Sequence, residues 1–371
     1  MNNIALQIEQ FISMSSKSLK SFLSTDKKNI VILAYYPTYR KQFGSLILKL
    51  KEKYNVISVV DRILNDEFER SAHHNLLFPW RVIENGQTYY LDADIEGIDL
   101  ILTADEVGYN DGKIDREFLS KSAKRMYFPH SLLEATGVKD YYDYIVVPSS
   151  VAMQTYEKNL KDSKVKLLPC GYPKLDLSIE NYSYKSENII SFAPTLRFFD
   201  ASKYSNLNLI SGVESNLIEW LLENTKYKIL IHAHPVSFQN KHNFYELIKA
   251  KFKDSDRVCF DENLGGDYFN RSDFLITDIS TTAFTYSFST LRPSFFYKHY
   301  EFKNEIEKYI DKITPNGISD SFEVLRQGIE RIDFKIMQEK IKSFREEVIY
   351  NVGSSSEFIV NQIDAILQGE I

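Results

Sequence analysis

The strongest constraint in this chain is a rhythm of short, almost uninterrupted apolar runs separated by helical stretches. A first series comprises Asn29-Ile-Val-Ile-Leu-Ala-Tyr35, Asn55-Val-Ile-Ser-Val-Val-Asp61, Ile98-Asp-Leu-Ile-Leu-Thr-Ala104, Lys124-Arg-Met-Tyr-Phe128 and Tyr144-Ile-Val-Val147. A second series begins near residue 188: Asn188-Ile-Ile-Ser-Phe192, Lys228-Ile-Leu-Ile-His232, Arg257-Val-Cys-Phe260, Phe274-Leu-Ile-Thr277 and Pro293-Ser-Phe-Phe-Tyr297. A strand with water on one face alternates apolar and polar residues, whereas a strand covered on both faces by helices reads as a continuous apolar run. Helical stretches are expected at roughly 40–53, 211–224, 240–252, 281–290 and 334–368. The pattern predicts βαβ units in two blocks: an α/β fold of two Rossmann-like domains, each a doubly wound parallel sheet.

The polar segment 178–187 has no apolar period and is the expected linker. It separates an N-terminal domain (1–182) from a C-terminal domain (183–344), with a helix over about 345–371 expected to pack back on the first. A length of 371 residues and a hydrophobic content of 43% suit two such domains. Ligands of open α/β sheets bind beyond the carboxyl ends of the strands, so the two sheets are expected to face an interdomain cleft.

Composition excludes several classes. A net charge of −6 with no basic stripe argues against a nucleic-acid binder. Cys170 and Cys259, the two cysteines, are too few for a disulfide framework or a zinc knuckle. No run approaches the ~20 apolar residues of a membrane span, and the N-terminus lacks a basic region followed by an apolar one. The expected address is cytoplasmic. Residues 4–23 read as an amphipathic helix that packs on the first domain or, in the sharper reading, lies against the inner face of a membrane.

The chemistry should sit where strands end, and four places stand out. Phe128-Pro-His130 follows a strand; Pro129 breaks it and leaves His130 in the edge loop, where a histidine can act as a general base. His232-Ala-His234-Pro235 ends another strand and puts two histidines on one face, with no acidic or thiol residue nearby to complete a metal set. Thr277-Asp278-Ile-Ser280-Thr281-Thr282 runs from a buried strand into a helix, where free N–H groups, the helix dipole and hydroxyls suit a phosphate. Asp278 would there cap the helix or orient a histidine. Ala193-Pro-Thr195-Leu-Arg197 ends a fourth strand with an arginine suited to gripping phosphate oxygens. Each place also reads as ordinary structure: a loop histidine, a capped helix, a surface arginine. Upstream of the linker, Gly171-Tyr-Pro173-Lys174-Leu-Asp176 suggests a tight turn that presents a further cation, Lys174. No GxGxxG, P-loop or Gly-x-Ser-x-Gly elbow is present, which disfavours a dinucleotide domain, a P-loop enzyme and a hydrolase triad.

Taken in order, these fragments resemble the CDP-glycerol glycerophosphotransferases, a family that includes the teichoic acid glycerol-phosphate polymerases. The resemblance covers about 125–300 and rests on Phe128-Pro-His130, Gly171-Tyr-Pro-Lys174-Leu-Asp176, Ala193-Pro-Thr-Leu-Arg197, His234-Pro235, Thr277-Asp-Ile-Ser-Thr281 and Pro293-Ser-Phe-Phe-Tyr297. The chain departs from the family pattern at Pro129, in place of a tryptophan, and at Ser131, in place of a glycine. It departs again at Lys174 and Ile279, where the family has an arginine and a tyrosine.

What the resemblance implies is a GT-B architecture and transfer of a glycerol-phosphate or related polyol-phosphate group. The donor would be CDP-linked and the acceptor a hydroxyl of a cell-surface glycan or glycolipid, in teichoic-acid-like or capsule assembly. By that similarity His130 is the base, with His234 and Asp278 in the catalytic set. Arg197, Thr195, Ser280, Thr281, Thr282 and Lys174 bind the donor phosphates. No metal or other cofactor is required, although a divalent cation stays open. The lack of a large helical N-terminal extension favours single addition over processive polymerisation. The alternatives are a GT-B glycosyltransferase using a CMP-sugar (sialic-acid-like or Kdo) or UDP-sugar donor, a nucleotide-sugar 2-epimerase, and a non-catalytic binding module.

Overall fold

The computed structural model describes residues 2–34, 39–60, 68, 71–77, 81–84, 87–90, 94–104, 119–137, 141–195, 213–232, 244–261, 268–278, 280–297 and 305–371. The chain forms two compact units, one of Met1–Leu177 with Ile349–Ile371 and one of Ser178–Val348.

The first unit opens with α1 (Asn2–Phe22) and β1 (Asn29–Ala34). A 3-10 turn (Tyr39–Phe43) and α2 (Leu46–Lys53) follow, so the helix expected over 40–53 is divided at Gly44. Then come β2 (Asn55–Val60), β3 (His74–Leu77) and an antiparallel hairpin of β4 (Arg81–Glu84) and β5 (Gln87–Tyr90). The sheet continues with β6 (Leu100–Thr103), β7 (Lys124–Tyr127) and β8 (Tyr144–Val146), then α3 (Ser150–Asn159), β9 (Lys166–Leu168) and α4 (Pro173–Glu180). The strands lie in the order β3-β2-β1-β6-β7-β8-β9, every pair parallel.

The second unit holds β10 (Ile189–Phe192), α5 (Val213–Asn224), β11 (Lys228–Ile231), α6 (Phe244–Phe252), β12 (Val258–Phe260) and α7 (Tyr268–Arg271). It continues with β13 (Ser272–Thr277), α8 (Thr282–Thr290), β14 (Ser294–Tyr297), β15 (Ile318–Ser319), α9 (Phe322–Glu330) and α10 (Phe334–Val348). Its parallel order is β12-β11-β10-β13-β14-β15. The chain then returns to the first unit as α11 (Ser355–Gln368). The helical stretch expected over 334–368 is thus two helices, broken around Asn351 and Gly353, both at positive φ.

Both sheets are buried on two faces, as their apolar runs require. Ile30, Ile32, Leu100 and Leu102 face one core cluster of the first unit, while Val31, Leu33 and Ile101 face another. Ile359, Val360, Ile363 and Ile366 of α11 complete the first of these clusters. In the second unit Ile190, Phe192, Ile229, Ile231, Phe274 and Ile276 pack with Leu217, Ile218 and Leu221 of α5. Each sheet reverses its strand order once, between β1 and β6 and between β10 and β13. Such switch points leave a crevice at the carboxyl ends of the strands. Among the described residues no helix is long and apolar enough to cross a membrane.

Candidate functional site

In the first unit the carboxyl edge beside the switch point carries His130. Strand β7 ends at Tyr127, and the Phe128 N–H still donates to the Thr103 carbonyl at 2.8 Å before Pro129 ends the ladder. The Phe128 ring packs on Phe43 with centroids 4.9 Å apart. Downstream, Ser149 Oγ donates to the Leu132 carbonyl at 2.6 Å, and the Glu134 N–H donates to Ser131 Oγ at 3.2 Å. These bonds pin the loop on both sides of His130, whose own side chain stays exposed. Surrounding protein atoms and then the Lys174 ammonium push its pKa down from 6.5 to about 4. The open face tempers the first of these causes, but both act in one direction, and the ring is neutral at pH 7. A neutral, solvent-reachable imidazole is the form a general base needs.

The Gly171–Asp176 segment does more than form the expected turn. Pro173 occupies the first position of α4, a place where its missing N–H is harmless. Gly171, at φ +94°, lies so close to the returning chain that a Cβ would stand 2.2 Å from the Tyr350 carbonyl oxygen. The Tyr172 N–H donates to Ser355 Oγ at 2.9 Å, and Asp176 accepts from the Gly353 and Ser355 N–H groups, both at 2.7 Å. The motif therefore receives the N-terminus of α11. Lys174, in the first turn of α4, is half-buried and belongs with His130 in the first unit, whereas the other described donor-phosphate candidates lie in the second. Burial, followed by the neighbouring Lys41 cation, holds its ammonium well below the usual lysine range.

In the second unit Thr195 and Asp278 meet at the switch point. Asp278 is 4% exposed and follows β13; Thr195 follows β10 on the adjacent strand. Asp278 Oδ1 accepts from the Thr195 N–H at 3.0 Å and from Thr195 Oγ1 at 2.6 Å. Thr277 Oγ1 donates to the Ala193 carbonyl at 2.6 Å. Asp278 thus latches two strand ends together. Ser280 Oγ accepts from the Thr282 N–H at 3.3 Å, and α8 begins at Thr282 with Thr281 in the N-cap position, where the sequence predicts a helix start. Hydroxyl-rich backbone at a helix start, at the end of a buried central strand, can receive an anionic oxygen.

Arg197 and His234 lie outside the described residues. His232, two residues before His234, directly follows β11. Its Nδ1 lies 2.8 Å from Asp261 Oδ2, and its ring stacks on Tyr268 at 4.1 Å between centroids. Asp261 and Tyr268 were not legible as its partners, since they stand about thirty residues further along and meet it only through the sheet. Among the described residues no three His, Cys, Asp or Glu side chains gather in a way that could hold a metal ion.

Several known proteins resemble this chain. The structure of the wall teichoic acid polymerase TagF aligns with a TM-score of 0.57 at 16% identity, over 100% of this chain and 96% of that one. The same polymerase as an H444N variant soaked with CDPG aligns with a TM-score of 0.57 at 14% identity, over 99% and 96%. UDP-GlcNAc 2-epimerase from Neisseria meningitidis aligns with a TM-score of 0.55 at 12% identity, over 90% and 99%. The Methanocaldococcus jannaschii enzyme of the same name gives 0.57 and 12%, over 91% and 99%. These likenesses show the fold, GT-B, with its two parallel sheets. No curated protein matches the chain. Residues 119–365 match the family described as CDP-glycerol:poly(glycerophosphate) glycerophosphotransferase, a stretch that includes His130, the Gly171–Asp176 receiver and the Thr195–Asp278 latch. With that match spanning well over half of its length, the chain belongs to the CDP-glycerol glycerophosphotransferase family.

Proposed function

We propose that this glycerophosphotransferase uses His130 of its first unit as the base and the strand ends of its second unit to hold the donor diphosphate. The acceptor hydroxyl oxygen attacks the phosphorus that carries glycerol in CDP-glycerol. The new P–O bond forms as the bond to CMP breaks; CMP leaves with that electron pair, and His130 takes the hydroxyl proton. The start of α8 at Ser280, Thr281 and Thr282 offers N–H and hydroxyl donors to the charge that grows on the leaving phosphate, while Thr195, whose N–H and hydroxyl both go to Asp278, shapes the strand end that faces it. Arg197 and His234 add positive potential by their place in the motifs. Asp278 acts by holding the strand ends together. The observation that carries the reading is His130 itself, a neutral and reachable imidazole at the carboxyl end of a parallel strand.

The acceptor is a hydroxyl of a surface glycan or glycolipid, and the reaction runs on the cytoplasmic side of the membrane. Leu6, Phe11 and Met14, exposed on α1, support contact with a lipid surface when the acceptor is lipid-borne. Vesicle co-sedimentation tests this, with Met14→Glu expected to reduce the bound fraction. The reaction is tested by incubating the protein with CDP-glycerol and a glycerol-phosphate oligomer. One CMP is expected per glycerol phosphate transferred. Acceptor-free epimerisation of UDP-GlcNAc, or turnover of CMP- or UDP-sugars with none of CDP-glycerol, overturns it.

A further inference from the structure

The end of β11 carries a second histidine in a built setting, at the same edge and on the same sheet face as the start of α8. His232 directly follows the strand, and its N–H donates to the Phe192 carbonyl of β10 at 2.9 Å. The register pairs Phe192 with both Ile231 and Ile276, so His232, Ala193 and Thr277 stand level at the carboxyl edge. Ile229 and Ile231 face the core cluster that holds Leu217, Ile218 and Leu221 of α5, so the two-residue period turns His232 to the opposite face. There its ring stacks on Tyr268 at 4.1 Å between centroids, and the adjacent Phe269 meets Tyr286 of α8 edge-on at 5.2 Å. His232 Nδ1 lies 2.8 Å from Asp261 Oδ2, and the two side chains are 14% and 11% exposed. A carboxylate only accepts, so the ring proton sits on Nδ1 and the neutral imidazole keeps its lone pair at Nε2. Among the described residues nothing pairs with that second nitrogen.

We propose that His232 reads the sugar of the donor nucleotide: Nε2 accepts a hydrogen bond from a ribose hydroxyl, and Asp261 is the positioning residue that fixes the tautomer. The proposal rests on the donor-site reading above and deepens it, from a diphosphate held at strand ends to a ribonucleotide told apart from a deoxyribonucleotide. The chemistry of the atom selects its ligand group. A lone pair takes a donor, and the diphosphate has none to give, because its ionised oxygens only accept. The donors on a CDP-linked substrate are the ribose hydroxyls, the amino group of the base and the glycerol hydroxyls. Distance selects among them. Neighbouring strands lie about 4.8 Å apart, so the ends of β11 and β13 are separated by about 10 Å across β10. One methylene joins the ribose to its phosphate, so with that phosphate at the start of α8 the sugar lies along this span and the base extends past it. Stacking on Tyr268 and the bond to Asp261 hold the ring in place before the nucleotide arrives, which lowers the ordering cost of binding. His232 belongs to none of the fragments that carry the family resemblance.

Titration calorimetry with the full-length chain tests this, with CDP, 2′-deoxy-CDP and 3′-deoxy-CDP as probes and UDP as the control for the base. The wild type is expected to bind CDP about fivefold to tenfold more tightly than one of the deoxy forms, the worth of one hydrogen bond. In His232→Ala that preference should fall to about twofold or less. His232→Phe, which keeps a ring on Tyr268, should lose it equally and covers the case in which the alanine variant fails to fold. Asp261→Ala should lose the preference although residue 261 touches no nucleotide, and Asp261→Asn, which keeps an accepting oxygen, should retain it. In ¹⁵N NMR of histidine-labelled protein above neutral pH, the signal missing from His232→Phe should report a protonated Nδ1 and a bare Nε2. That signature should change in Asp261→Ala, which a purely structural carboxylate would not cause. Equal binding of CDP and both deoxy forms overturns the proposal, as does a preference that survives in His232→Ala or a wild-type proton on Nε2. An equal loss of all three probes in His232→Ala assigns the ring to the phosphates, and a lost preference for CDP over UDP assigns it to the base. A loss confined to CDP-glycerol assigns it to the glycerol, and each of these results overturns the proposal too. Ribose discrimination by the wild type, without CMP release from CDP-glycerol under any acceptor, overturns the transferase reading alone, so the two failures are distinguishable.

Discussion

The two units share a scaffold and differ in what they place at its edge. Each is a parallel sheet that reverses its strand order once, buried on both faces. The first unit ends its strands in titratable and cationic side chains: His130, with Lys174 and Lys41 around it. The second ends its switch-point strands in a hydroxyl–carboxyl lattice, the Thr195–Asp278 latch and the hydroxyls that open α8. A further difference is continuity. The second unit is one stretch of chain, while the first borrows α11 from the far end. The contrast teaches that the fold supplies only the edge; the chemistry an edge can carry is written into which residues follow each strand.

The largest expected effect breaks the first half of that contrast. His130→Ala should lower kcat by about 10²–10⁴-fold, the usual contribution of a positioned base, with CDP-glycerol affinity unchanged by calorimetry. Full turnover in this variant would remove the base from the first unit. The next effect addresses the second half. Asp278→Ala removes the acceptor of two Thr195 bonds in a buried place, and about 1–3 kcal/mol of stability should go with it. Asp278→Asn keeps an acceptor oxygen and should stay near wild type in denaturant unfolding. Were Asn as damaging as Ala, the carboxylate charge rather than the latch would matter.

A smaller effect concerns acidity. His130 is lowered to about 4 when folded, against about 6.5 when unfolded, so the native state binds fewer protons than the unfolded one. The stability this contributes is lost as pH rises toward neutrality in no part of the range: it is present above 6.5 and declines as pH falls from there through 4. For the same reason the acid limb of kcat/KM should lie below that of an ordinary histidine. In Lys174→Met the limb should move upward, but only part of the way to 6.5, because the surrounding protein atoms continue to disfavour the charged ring. A limb that does not move would separate Lys174 from His130.

Much of this was legible from the chain because a parallel sheet buried on both faces leaves an unmistakable apolar run. The strands without such a run are the separate β4–β5 hairpin and those at the sheet margins. Strand β3 (His74–Leu77) lies at a sheet edge with partly exposed residues, and β9 (Lys166–Leu168) has only three. Helix α4 was hidden by Gly171 and Pro173, which read as a turn although Pro173 starts the helix. At the site, His130 and the opening of α8 announce themselves by following a strand. Lys41 does not, because nothing in the sequence shows that a 3-10 turn after β1 will pack against residues 128 and 173. The same holds for the Asp261 partner of His232 and for the Asp176 contacts to α11, which join residues far apart in the chain.

The smallest effect asks what keeps the first unit's borrowed helix in place. Lys49 of α2 and Glu357 of α11 form an ion pair at 2.7 Å, but their side chains are 38% and 52% exposed. Water screens such a pair, and holding two long side chains in one geometry opposes it, so exposed pairs contribute about 0.2–1 kcal/mol. Lys49→Ala should therefore lower stability by no more than that, and the difference should shrink in 1 M salt, where the screening length falls to about 3 Å. Ile363→Ala, in the fully buried face of the same helix, should cost about 2–5 kcal/mol and be insensitive to salt. If the ion pair proved the stronger of the two, α11 would be a helix held by charge. It would then be releasable at high ionic strength, and the first unit would be a separable assembly where the second is not.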